Sequence, residues 1–228
     1  MGHEELQAIA LSLKVASCSV LLGTLPALAM ALLLARCRFP GRALVDALVH
    51  LPLVVPPVVM GYLLLLLFSR RGTVGSWLYD QFGIVLAFRW SGAVLAAMVM
   101  SFPLIVRPIR LSIEAIDRRL EDAARTLGAP RYWVFLSVTL PLALPGIVVG
   151  ALLGFARSLG EFGATITFVG NIPGETRTLS SAIYTFLQTP DGDTGALHLA
   201  LISIALSLLA LVASEYLSRR AQALAHGL

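Results

Sequence analysis

Apolar residues run along this chain in long unbroken stretches, and the polar residues gather between them. Sustained apolarity covers residues 13–35, 47–68, 90–107, 139–159 and 197–217. Each stretch is close to the roughly 20 residues that a helix needs to cross a bilayer. A membrane β-barrel would instead show short segments alternating with period two, which these are not. The pattern predicts an all-α integral membrane protein with five spans in a single domain, residues 1–228. Residues 84–88 are too few to cross, and residues 164–170 fit a re-entrant or interfacial piece, so six spans is the alternative count.

The first run is longer than a signal-peptide core, and Arg36, Arg38 and Arg42 follow it where a small-residue cleavage site would stand. It is therefore expected to persist as a span. Composition agrees: the chain is 57% hydrophobic and 13% charged, with a mean hydropathy of +0.85, far from a soluble domain. The net charge of +4 raises the question of nucleic acid. Most arginines, however, fall in two loops and the C-terminal end, a distribution that suits membrane topology better than a DNA-binding face.

Loops rich in arginine stay in the cytoplasm. Arg36, Arg38 and Arg42 follow the first span, Arg107, Arg110, Arg118, Arg119, Arg125 and Arg131 fill the middle loop, and Arg219 and Arg220 end the last span. Residues 161–195 carry Glu161, Glu175, Asp191 and Asp193 against Arg177 alone. With five spans this places the N-terminus outside and the C-terminus in the cytoplasm, although Arg70, Arg71 and Arg89 dissent from the outer side.

Catalytic apparatus is not visible in the sequence. Lys14 is the only lysine and no glycine-rich turn precedes it, which excludes a P-loop. His3, His50, His198 and His226 are scattered without a second ligand at metal spacing, Cys18 and Cys37 form no CxxC pair, and neither GxSxG nor HExxH occurs. The expectation is a non-catalytic chain without metal or cofactor. An ion-coupled carrier would place ionisable groups deep in its spans, whereas Arg157, Glu161 and Glu215 lie toward span ends.

The middle loop, residues 118–141, is a charged stretch between two long apolar segments. Leu120, Ala123, Ala124 and Leu127 recur at helical spacing, with Arg118, Arg119, Glu121, Asp122 and Arg125 on the other faces. Gly128 stands where a left-handed residue would end that helix, and Pro130 suits the first turn of the next. A helix, a turn and a second helix follow, and the pattern fits both a protein-docking surface and a helix lying on lipid.

Asp122, Ala123 and Ala124, then Gly128, then Val138, Leu140 and Pro141 resemble the EAA signature of permease subunits in ABC importers, with Asp for Glu and Val for Ile. The resemblance implies a type I importer permease fold, in which this cytoplasmic loop is a coupling helix seated in a cleft of an ATP-binding subunit. It gives Asp122, Ala123, Ala124, Leu127 and Gly128 the contact with that subunit.

Beyond the loop, Gly146, Gly150 and Gly154 form a GxxxGxxxG stripe, which permits close helix packing within the chain or with a second copy. Pro141 and Pro145 suggest a stiff or kinked entry to that span, and Pro52, Pro56, Pro57 and Gly61 interrupt the second. Arg157 and Glu161 are i, i+4 and either neutralise each other or, with Ser158, Thr165, Thr167 and Asn171, line the path of an oxyanion that needs hydrogen-bond donors when its water is stripped. Residues 155–164 resemble a stretch shared by sulfate and molybdate importers, and residues 165–178 resemble the molybdate branch. What the resemblance implies is a bacterial inner-membrane permease for molybdate. It would work as two copies with two ATP-binding subunits and a periplasmic molybdate-binding protein. Sulfate, thiosulfate or tungstate is the alternative cargo.

Overall fold

The computed structural model describes residues 3–190 and 192–225, with side chains up to residue 213 and at Tyr216. Asp191 lies outside the described residues, as do the side chains of Glu215, Arg219 and Arg220. Every regular element among the described residues is helical. Four are long and apolar enough to cross a membrane: α1 (His3–Arg36), α5 (Trp90–Ala115), the continuous run Arg131–Leu159, and the last helix, whose apolar part is Asp193–Ala213. A fifth crossing is broken. Helices α2 (Arg42–Val54) and α3 (Pro57–Phe68) meet at 115° around Val55 and Pro56.

The break follows from the prolines. Pro56 and Pro57 carry no amide hydrogen, so the α2 ladder cannot continue, and Pro57 opens α3 with the φ it needs there. Val49 packs with Leu34 and Ile113, whereas Met60 and Leu64 pack with Val15, Ala93 and Ala97. The bent pair thus carries the chain from one end of the bundle to the other, which makes five crossings with the second one kinked.

The bundle centre is α1, α5 and α8 (Leu140–Leu159). Gly146, Gly150 and Gly154 all turn toward α5 of the same chain, which answers the question their spacing left open. A Cβ on Gly150 would lie 2.7 Å from the Ile105 carbonyl oxygen, and one on Gly146 would lie 2.6 Å from the Pro108 carbonyl oxygen. The stripe brings two backbones together. Around it Ile105, Val106, Ile109 and Ile113 are fully buried.

Two expectations about boundaries change. α5 runs on to Ala115, so Arg107 and Arg110 belong to a spanning helix and not to the middle loop. Pro108 does not stop it; the helix ends only where Ile116 turns extended and Asp117 caps the next one. Glu161 is buried and so is no part of an aqueous outer loop. Residues 84–88 form no helix, while α9 (Gly163–Phe168) folds back against α3, where Gly61 admits the Ala164 backbone. Helix α4 (Thr73–Phe82) packs on α3, α10 (Leu179–Leu187) packs against α1 and α11 (Asp193–Ala225), and α11 returns along α8.

Candidate functional site: the loop between the third and fourth crossings

Helix α6 (Arg118–Thr126) begins with Asp117, whose carboxylate accepts the Arg119 amide at 3.0 Å. It ends as the glycine implied: Gly128 has φ +87°, its amide donates to Arg125 and that of Ala129 to Ala124, a Schellman closure. Pro130 then caps α7 (Arg131–Val134), one position earlier than a first-turn proline.

A five-residue π turn, Phe135–Thr139, joins α7 to α8. The Leu140 amide reaches back five residues to the Phe135 carbonyl, and Pro141 beside it offers no amide at all. Helix α7 and the fourth crossing are therefore one continuous rod, Arg131–Leu159, with a wider turn near its entry.

The expected apolar stripe of α6 faces away from the protein. Leu127 is 88% exposed, Leu120 is 51% exposed, and Ala123 and Asp122 are exposed beside them with Ala124 half-buried. Tyr132 and Trp133 of α7 extend the same uncovered surface. What turns inward is Glu121, which sequence periodicity had placed among the solvated charges. Its Oε1 accepts Arg36 Nη2 at 2.8 Å and Thr139 Oγ1 at 2.9 Å. One carboxylate thus ties the loop helix to the end of α1 and to the entry of α8. Arg36 Nε is buried and unpartnered among the described residues, so the guanidinium holds Glu121 through a single amine. The i−1 position of Glu121 relative to the signature was the only signal that could have singled it out.

The second group of sequence-selected residues lies at the far end of α8. Arg157 Nη1 meets Glu161 Oε2 at 2.7 Å, with Glu161 2% exposed and Arg157 27%. Glu161 Oε1 also accepts the Ala164 amide at 2.8 Å. Ser158 Oγ accepts from Ser19 Oγ at 2.9 Å, Thr165 donates to the Phe162 carbonyl, and Thr167 donates to the Gly163 carbonyl. The Ser158 hydroxyl is thus engaged with α1, and those of Thr165 and Thr167 with the first turn of their own helix. Asn171 is apart from them, donating to Thr185 and accepting Arg177 Nε, while Arg177 Nη1 reaches Glu4. Arg157 is the member of the set with a charged surface left uncovered.

The model of the binding-protein-dependent transport system inner membrane component matches residues 19–223. The molybdenum transport system permease protein ModB of Escherichia coli (strain K12) is 63% identical over 215 residues, covering 94% of each chain. The sulfate transport system permease protein CysT of the same organism is 42% identical over 193 residues, 85% of this chain and 69% of that one. A solved bacterial ABC transporter involved in the import of alginate superposes with a TM-score of 0.75 at 21% identity, over 96% of this chain and 80% of that one. That likeness gives the fold of ABC importer permeases. The chain belongs to the family of binding-protein-dependent transport system inner membrane components.

Proposed function

We propose that this chain is the membrane subunit of an ATP-driven importer of molybdate. Two copies form the pathway, and each presents its loop, residues 118–141, to an ATP-binding subunit through Ala123, Ala124, Leu127 and Gly128, with Asp122 at the rim. A binding protein on the outer side delivers the oxyanion. The N-terminus is outside and the C-terminus is cytoplasmic, following the arginine bias. The observation that carries the coupling is the uncovered apolar surface of α6, latched from behind by Glu121. An apolar face in water calls for a partner, and a latch to two crossings gives the partner's movement something to move.

The cargo reading rests on identity, 63% to the molybdenum permease against 42% to the sulfate one. Arg157, held in place by Glu161, contacts the dianion on its way, while Ser158, Thr165 and Thr167 keep their hydroxyls in internal bonds and Asn171 lies apart. Selectivity among molybdate, tungstate, sulfate and thiosulfate belongs mostly to the binding protein.

The test is uptake into proteoliposomes holding the permease, its ATP-binding partner and the binding protein, with molybdate and sulfate in competition. Molybdate uptake that needs ATP and resists sulfate is expected. Uptake of sulfate alone would overturn the cargo, and uptake without ATP would overturn the coupling.

A further inference from the structure

A charged stripe runs along the part of α5 that sequence reading had assigned to the loop. Arg107, Arg110, Leu111 and Glu114 share one face at helical spacing, opposite the buried Ile105, Val106, Ile109 and Ile113. Asp46 and His50 of α2 complete a cavity of about 350 Å³ with them. At 1.5 Å per residue, Arg107 is about 12 Å above the inner end of α5 at Ala115. At about 39 Å the 26-residue helix is longer than a hydrocarbon layer of roughly 30 Å, so Arg107 lies toward the inner edge of that layer.

The partners are unequally shared. Arg110 takes both carboxylates, Asp46 at 2.8 Å and Glu114 at 2.9 Å. His50 Nδ1 lies 2.8 Å from the Asp46 carbonyl oxygen, which can only accept, so Nδ1 carries the proton. Arg107 is exposed and has no ion pair or hydrogen bond among the described residues. A guanidinium at this depth facing lipid would be costly; such groups face water or a partner of opposite charge.

We propose that this cavity is a water-filled inner vestibule in which Arg107 holds a tetrahedral oxyanion, a second station between the outer pathway and the cytoplasm. Its five hydrogen-bond donors suit an oxyanion. Arg110, together with Arg42, whose Nη2 lies 3.7 Å from Glu114, offsets the charges of Asp46 and Glu114, so that Arg107 is left as one cation that binds the anion weakly enough to let it go. Naming molybdate as the occupant rests on the function proposed above; the vestibule itself does not.

The experiment uses the complete importer with Cys18 and Cys37 replaced and Leu111→Cys introduced beside an intact Arg107, in vesicles of phosphatidylcholine with or without phosphatidylglycerol. A negatively charged, membrane-impermeant thiosulfonate is added from the cytoplasmic side. The expected result is labelling of residue 111 that sodium molybdate slows several-fold at constant ionic strength. In the native-cysteine importer, Arg107→Gln lowers molybdate uptake by about tenfold, the loss of one charged hydrogen bond, and Arg107→Lys recovers part of it. Absence of labelling, together with full uptake by Arg107→Gln, would show a face covered by lipid or by the second copy and would overturn the vestibule. Protection that requires phosphatidylglycerol and ignores molybdate would overturn it in favour of a lipid phosphate. Protection by sulfate and not molybdate, matched by wild-type uptake, would uphold the vestibule and overturn the cargo.

Discussion

Glu121 shows how a single residue decides what the loop can do. Its carboxylate is 8% exposed as a residue, yet it is flanked by Arg36 and Thr139, each from a different crossing or its entry. Removing one partner of a buried ion pair strands the other charge at a cost of roughly 3–5 kcal/mol when burial is complete, and less here because both side chains keep some exposure. Glu121→Ala therefore frees α6 from its mooring while leaving Leu120, Ala123, Ala124 and Leu127 as they were. The expected outcome is an ATP-binding subunit that still copurifies but transports fewer molybdate ions per ATP hydrolysed. An unchanged ratio would mean that the latch transmits nothing. Periodicity could not reveal this residue, because a glutamate on a surface helix reads as solvated until the arginine 85 positions away is known to meet it.

At the scale of elements, the stripe of Gly146, Gly150 and Gly154 sets how closely α8 approaches α5. Gly150→Val would drive a side chain into the Ile105 carbonyl, and such overpacking costs about 1–3 kcal/mol. Thermal unfolding in detergent should show a midpoint several degrees lower. Gly160→Ala serves as the control, since nothing lies within 4 Å of its added Cβ. Equal midpoints would contradict the close approach. Helix ends were the least legible part of the sequence, and the reason is physical. Apolarity marks where lipid would be, but a helix continues for as long as its backbone ladder does, so α5 carried Arg107 and Arg110 past the last apolar window. Proline was also ambiguous: Pro108 was absorbed by α5, whereas the adjacent pair Pro56 and Pro57 broke the second crossing by 115°. The π turn at Phe135–Thr139 had no signal beyond Pro141.

For the whole molecule, the five crossings and the loop helix with its glycine stop were legible because each rests on a local rule, span length or cap geometry. The site was legible only in part. Leu120, Ala123, Ala124 and Leu127 share the expected face and leave it uncovered, and Arg157 pairs with Glu161, but Ser158 bonds Ser19 of α1, and Thr165 and Thr167 turn their hydroxyls back to carbonyls at the start of their own helix. Hydroxyl side chains carry no sequence mark that separates a path-lining role from an internal bond. The uncovered loop surface and the Arg157–Glu161 pair thus lie at opposite ends of α8. The central claim is that force enters through α6. Ala124→Trp fills that face with a bulky ring, and copurification of the ATP-binding subunit measured beside ATP-dependent molybdate uptake tests it directly. The account predicts that docking and uptake are lost together; docking lost with uptake intact would contradict it.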